Sequence, residues 1–415
     1  MTDPFLAPAL LGRLALANRV VMAPMTRSRA VDAATPHAAA ALYYAQRASA
    51  GLIVSEGVCI SPTAAGNPDL PGLWNERQVA AWRQIIDAVH AAGGRIVAQL
   101  WHLGRAGLPE LLPDGAAPVG PSAVAIDTTT YLARRQVPYV VPRELSVAEI
   151  GAVVEEFASA ARRARDAGFD GVELHGANGY LIDQFLHASS NRRTDAYGGT
   201  PVARTRFLRE VAEAVCAVWG SGRVGVRLSP TSSFQDMHDP DPAELFGAAL
   251  DALSRRELAY VHVVEPGVSG AQGTGEDRTG QIDAGWVRRR WDGGLIATGE
   301  LDRERAAAIL RRGDADAVGF ARLFLANPDL PARLASGAAC NEPVRETFYG
   351  GGDEGYIDYP TLHAAALLDH LVEGGHADHV AGVAPLSGAT PVHDWPLAWA
   401  AARVRPGVGR GALAS

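Results

Sequence analysis

Along this chain, short runs of apolar, largely β-branched residues alternate with longer stretches whose apolar positions recur every three or four residues. The short runs are Arg19-Val-Val-Met-Ala-Pro24, Gly51-Leu-Ile-Val-Ser-Glu56, Arg95-Ile-Val-Ala-Gln-Leu100, Gly171-Val-Glu-Leu-His175, Val224-Gly-Val-Arg-Leu228, Tyr260-Val-His-Val-Val264, Gly294-Leu-Ile-Ala-Thr298 and Ala317-Val-Gly-Phe-Ala321. Near-continuous apolarity, rather than strict alternation, marks strands buried on both faces, and so a parallel sheet flanked by helices. Eight such units favour an α/β architecture closed into a (β/α)8 TIM barrel over an open sheet.

The intervening stretches carry helix signals. Ser146-Val-Ala-Glu149 reads as a capping box, and the stripe Ile150, Val153, Val154, Phe157, Ala160, Ala161 holds a 3.6-residue period until Gly168. Asn75 leads Val79, Trp82, Ile85, Ile86 and Val89 in the same way before Gly93-Gly94. Two regions break the alternation. Residues 105 to 142, rich in Pro and Gly and containing Thr128-Thr-Thr-Tyr131 and Val137-Pro-Tyr139, form an excursion after the third strand, expected to fold as a lid or hairpin over the barrel mouth. Residues 361 to 415 are a C-terminal extension in which a short helix from Leu362 to Val372 is expected, followed by a loose tail. The domain reading is therefore a barrel over residues 1–360, opening with an N-terminal hairpin, plus the extension.

Composition narrows the chemistry. With 47% hydrophobic and 20% charged residues the chain suits a folded globular domain. It contains no lysine at all, which excludes Schiff-base catalysis and lysine-dependent phosphate loops. A net charge of -8 argues against nucleic acid or an anionic membrane as partner and for a small molecule. Cys59, Cys216 and Cys340 are too scattered for a disulfide framework or a zinc site, and His363, His370, His376 and His379 make no recognisable ligand set. No charged leader with an apolar core begins the chain and no apolar run reaches bilayer length, so a cytoplasmic location is expected. HExxH and GxSxG signatures are absent, and there is no separate GxGxxG nucleotide-binding fold.

In barrels of this type the chemistry sits at the carboxyl ends of the strands. Those ends carry Pro24-Met-Thr26, Glu56-Gly57, Gln99, His175 to Tyr180, Arg227, Gly299 and Arg322. The fourth is the most telling: an imidazole (His175) and a carboxamide (Asn178) leaving one strand can hydrogen-bond one carbonyl oxygen, and a phenol two residues on (Tyr180) can deliver a proton to a neighbouring carbon. That equipment suits reduction of a C=C bond conjugated to a carbonyl, given a source of hydride.

Five motifs make the chain resemble the old yellow enzyme family of FMN-dependent ene-reductases from about Leu10 to Pro360. They are Asn18-Arg-Val-Val-Met-Ala-Pro-Met-Thr-Arg27, Gln99-Leu-Trp-His-Leu-Gly-Arg105, His175-Gly-Ala-Asn-Gly-Tyr-Leu181, Ser190-Asn-Arg-Arg-Thr-Asp-Ala-Tyr-Gly-Gly199 and Thr347-Phe-Tyr-Gly350. The resemblance implies FMN at the barrel mouth, reduced by NADH or NADPH. It places Pro24, Met25 and Gly57 against the cofactor, Thr26 near the flavin C4 carbonyl, Gln99 on the pyrimidine edge and Arg227 beside N1 and O2. The phosphate is expected at Thr298-Gly299-Glu300 and Ala321-Arg322, where Glu300 and Ala321 depart from the small residue and glycine common in the family. His175 and Asn178 then hold the carbonyl of an enone or enal, hydride passes from flavin N5 to the β-carbon, and Tyr180 protonates the α-carbon from the opposite face. Thr26, Asn67, Trp101 and Tyr349 are expected to line the substrate pocket, with Asn67 standing where relatives carry an aromatic ring. Thr26 marks the Thr-bearing branch. A biosynthetic relative acting on one dedicated intermediate and a flavin-binding protein without turnover stay open beside the reductase, as do the choice of nicotinamide, the direction of reaction and the oligomeric state.

Overall fold

The structure, a computed structural model, describes residues 3–363 apart from 133–134, 270–271 and 274–280. Eight parallel strands close into a barrel in chain order: β1 (Val20–Met22), β2 (Leu52–Cys59), β3 (Ile96–Trp101), β4 (Gly171–Gly176), β5 (Val224–Leu228), β6 (Tyr260–Val264), β7 (Leu295–Thr298) and β8 (Ala317–Phe320). Each coincides with one apolar run of the sequence, and every residue in them is buried. Helices outside and side chains inside shield both faces, which is why the strands could not alternate.

The two best-marked helices form as their caps dictate. Asn75 and Gln78 complete a capping box at the head of Glu76–Ala91, and Ser146 and Glu149 do so for Val147–Ala167, which Gly168 ends in a left-handed turn at φ 101°. Their apolar stripes, Val79, Trp82, Ile85, Ile86 and Val89 on one and Ile150, Val153, Phe157, Ala160 and Ala161 on the other, are buried against the barrel. Each fully buried Leu, Ile or Phe in such a stripe contributes about 2 kcal/mol.

One end of the barrel is closed. The antiparallel hairpin Ala9–Leu11 with Leu14–Leu16 drives Leu11, Leu14 and Leu16 against Val21, Leu52, Val97, Ile296 and Ala317, near the amino ends of their strands. Only the carboxyl ends are left to receive a ligand. After β3 the excursion runs through short helical turns to an exposed antiparallel hairpin, Thr129–Leu132 with Arg135–Pro138. Buried Arg105 ties its root to the loop after β5, donating from Nη2 to Gln235 O at 2.7 Å. The helix expected from Leu362 onward lies, beyond His363, outside the described residues, as do His370, His376 and His379. No described helix is long and apolar enough to cross a membrane.

Candidate active site

The loop that leaves β4 is built to hold three side chains in one orientation. Asn178 has φ 57° and Gly179 φ 74°, two successive left-handed residues that reverse the chain within a turn. Asparagine tolerates that region better than most residues, and at 179 a Cβ would also come within 2.8 Å of Gln235 and 2.9 Å of the Phe234 carbonyl. Side chains then pin the turn. Asn178 N–H donates to Ser229 Oγ at 2.8 Å, Gly179 N–H to Asp183 Oδ2 at 2.8 Å, and Gln184 Nε2 donates to the carbonyls of Gly179 (2.7 Å) and Leu103 (3.0 Å).

With the turn fixed, the Tyr180 ring meets His175 edge-on at 4.9 Å and Trp101 edge-on at 4.7 Å, while Trp101 and His175 lie 5.8 Å apart with their planes 30° from parallel. These contacts suit aromatic quadrupoles and leave little rotamer freedom.

A cavity of about 600 Å³ opens at this end of the barrel, within the range of cofactor sites. Its wall takes Pro24, Met25 and Thr26 from the end of β1, Gln99 and Trp101 from β3, His175, Asn178 and Tyr180 from β4, Arg227 from β5, Thr298, Gly299 and Glu300 from β7, Ala321 and Arg322 from β8, and Tyr349 from the segment after the barrel. Fifteen of the seventeen residues singled out in the sequence thus meet in one space. His175 Nδ1, Asn178 Oδ1, Arg227 Nε and Trp101 Nε1 are buried there without a hydrogen-bond partner. Groups that costly to bury bare are the mark of a site shaped for a polar, planar ligand, and they fit the edge of an isoalloxazine and a substrate carbonyl.

Burial, helped by the charge of Arg227, holds His175 well below the ordinary imidazole value, so it enters the site neutral. Burial likewise raises the Tyr180 phenol above its ordinary value and keeps its proton in place. Arg227 is 8% exposed; burial lowers its pKa while Glu173 and Tyr260 oppose the shift, and a guanidinium stays charged through such a change.

Two expected contacts lie outside the cavity wall. At Gly57 a Cβ would sit 2.3 Å from the Trp101 ring, so its missing side chain is what lets the indole lie down against β2. The register of β2 on β3 shifts between Val54 and Gly57. Asn67 is also absent from the wall; Gly66 packs on the root of the excursion, where Leu108 N–H donates to its carbonyl at 3.0 Å.

Three further residues position the site, and of these only Glu56 was marked beforehand, as a strand end. Arg27, fully buried, donates to the carbonyls of Phe348 (3.0 Å), Thr347 (3.2 Å) and Gly355 (2.9 Å), fastening the segment that carries Tyr349 to the end of β1. Glu56 accepts Arg27 N–H at 3.0 Å from the adjoining strand end. Gln184 joins the β4 loop to the root of the excursion. Arg27 lies within a motif and could have been flagged there; Gln184 sits on a short buried helix with no sequence signal.

A closed barrel with this cavity at the carboxyl ends of its strands has the arrangement of a barrel enzyme that holds a cofactor at its mouth. Residues 4–341 match the family described as NADH:flavin oxidoreductase / NADH oxidase, and the chain belongs to that family. It is 42% identical over 365 residues to 12-oxophytodienoate reductase 1 of Oryza sativa subsp. japonica, covering 86% of this chain and 93% of the relative. It is 43% identical to a probable flavin mononucleotide-dependent alkene reductase of Leishmania infantum, covering 87% and 98%. Among solved structures, morphinone reductase superposes with a TM-score of 0.82 at 46% identity, covering 87% of this chain and 97% of its own. The old yellow enzyme homologue from Zymomonas mobilis gives 0.82 at 42% identity, with 86% and 99% covered. The protein is accordingly an enzyme that uses FMN and draws its electrons from a nicotinamide.

Proposed function

We propose that the enzyme reduces the C=C bond of α,β-unsaturated carbonyl compounds with NADH or NADPH by a ping-pong mechanism, using residues 1–360 as its functional unit. The observation that carries this reading is the β4 loop: His175, Asn178 and Tyr180 face one cavity, and the His175 ring nitrogen Nδ1 is buried there without a partner. Relatives named as an alkene reductase and as reductases of 12-oxophytodienoate and morphinone support it.

Thr26, Gln99 and Arg227 would hold FMN by its C4 carbonyl, its pyrimidine edge and its N1 and O2, with Gly299, Glu300, Ala321 and Arg322 at its phosphate, and the cofactor would supply the hydride that the β-carbon takes up. The chain's own part is then acid–base and orienting work. His175 and Asn178 hold the carbonyl oxygen and draw electron density from the β-carbon; a neutral imidazole does this without placing a second full charge beside Arg227. Tyr180, kept protonated by burial, gives its proton to the α-carbon from the opposite face and is recharged from solvent. Hydride and proton together account for the two hydrogens added, and they end up trans.

The test is reduction of 2-methyl-2-cyclohexenone with deuterated NADPH or NADH in D2O. Product carrying its two new deuterons on opposite ring faces by NMR supports the reading; addition to the same face, or no product with either nicotinamide, contradicts it.

A further inference from the structure

Beneath the cavity floor the barrel interior is polar where bulky branched side chains ordinarily fill such a layer. Glu173 on β4 and His262 on β6 are both 0% exposed, with Glu173 Oε2 and His262 Nδ1 2.8 Å apart. The other carboxylate oxygen, Oε1, accepts from Gln99 Nε2 at 2.8 Å. Strand register sets the group: Glu173 lies opposite Gln99, and Arg227 lies between His175 and His262. Burying a carboxylate costs several kcal/mol unless it is paired and hydrogen-bonded, so this one is held for a reason other than packing.

We propose that Glu173 is a positioning residue for the flavin, one that fixes the Gln99 amide with its oxygen toward the cavity and offsets part of the Arg227 charge, thereby setting the cofactor's reduction potential. The inference rests on the placement of Arg227 beside N1 and O2 in the preceding section.

The amide argument follows from donor and acceptor counts. An ionised carboxylate only accepts, so Gln99 must turn its NH2 group down toward Glu173, and its carbonyl oxygen is the atom left for a ligand N–H. His262 donates its Nδ1 proton to the same carboxylate and fills the second oxygen. Burial pushes the Glu173 carboxyl up, but His262, Arg227 and Gln99 together bring it below the ordinary carboxylate value, and burial keeps His262 below the ordinary imidazole value. The layer therefore holds one negative charge, one positive charge and a neutral ring.

The charge argument has a sign. Arg227 stabilises negative charge that builds on N1 and O2 when the flavin is reduced, which raises the potential. Glu173 in the same dry layer opposes that field. Removing its charge while keeping its shape leaves Arg227 undiminished and favours the reduced flavin.

The experiment measures the FMN potential of the holoenzyme by anaerobic spectroscopic titration against a reference dye, for wild type, Glu173→Gln, Arg227→Met and the double variant. Glu173→Gln should raise the potential by about 30 mV or more, tenfold in the two-electron equilibrium constant. Arg227→Met should lower it, and the double variant, which leaves no unpaired charge in the layer, should lie above the Arg227→Met single even if Glu173→Gln alone does not fold. Wild-type or lower potential in flavin-loaded Glu173→Gln, or equal potentials for Arg227→Met and the double variant, overturns the inference. An unchanged potential in Arg227→Met overturns the placement of Arg227 and the inference with it.

Discussion

Arg322 Nη2 lies 2.7 Å from Glu300 Oε1, joining the turns that follow the seventh and eighth barrel strands at the position assigned to the FMN phosphate. A phosphate and a carboxylate compete for one guanidinium. Both side chains are 38% exposed, so the pair itself is worth at most about 1 kcal/mol. Glu300→Gln frees the guanidinium for bidentate contact and removes a like charge beside a dianion. The expected result is a roughly 3- to 10-fold lower Kd for FMN, corresponding to about 1 kcal/mol, with the Kd for riboflavin unchanged. Fluorescence titration of the apoprotein with both flavins checks it, and a constant ratio of the two affinities contradicts it.

Asn178 combines a functional amide with a left-handed backbone, and two substitutions separate these roles. Asn178→Gly keeps the turn at φ 57° and loses only the carboxamide; Asn178→Ala loses the amide and adds about 1 kcal/mol of backbone strain. Both variants should raise the KM for an enone, and the Ala variant should also melt about 1 °C lower than the Gly variant. Equal melting temperatures would show that the loop relaxes away from the left-handed region.

Glu56 gives the fold a pH dependence of its own. Burial raises its carboxyl from 4.5 to about 7, against the opposing pull of the Arg27 and Arg29 charges. The folded state therefore keeps a proton that the unfolded state has lost, and stability falls as pH climbs from about 4.5 to about 7, then levels off. The full loss is on the order of 3 kcal/mol. Glu56→Gln keeps an acceptor for Arg27 N–H and should flatten this decline. Urea denaturation at pH 5 and pH 8 measures it; a variant whose stability falls as steeply as wild type removes Glu56 as the cause.

The barrel was legible because each strand is an apolar run closed by a polar or small residue, and because Asn75, Ser146, Glu149 and Gly168 state where helices begin or end. The β4 site was legible because His175, Asn178 and Tyr180 are near neighbours in sequence, so local spacing sufficed. Gly57 and Asn67 lie outside the cavity wall, and sequence could not show this, because whether a strand-end residue faces the mouth depends on strand register and on the packing of neighbouring loops. A register shift before Gly57 and the contact of Gly66 with the excursion are tertiary facts. Arg27 and Gln184 act on backbone carbonyls, some more than 300 residues away, and carbonyls carry no sequence identity. Glu173 and His262 sat in plain view on apolar runs, but only the closed barrel brings their atoms to 2.8 Å.

The central claim, that the β4 loop supplies both the carbonyl grip and the proton, is tested most directly by following the flavin spectrum of wild type and Tyr180→Phe through two anaerobic mixings, first with NADPH and then with 2-cyclohexenone. Wild type should bleach and then recover. Tyr180→Phe should bleach at nearly the wild-type rate and recover on the order of 100-fold more slowly, as befits loss of a general acid alone. Equal slowing of both phases, or recovery at the wild-type rate, would contradict the assignment of the proton to Tyr180.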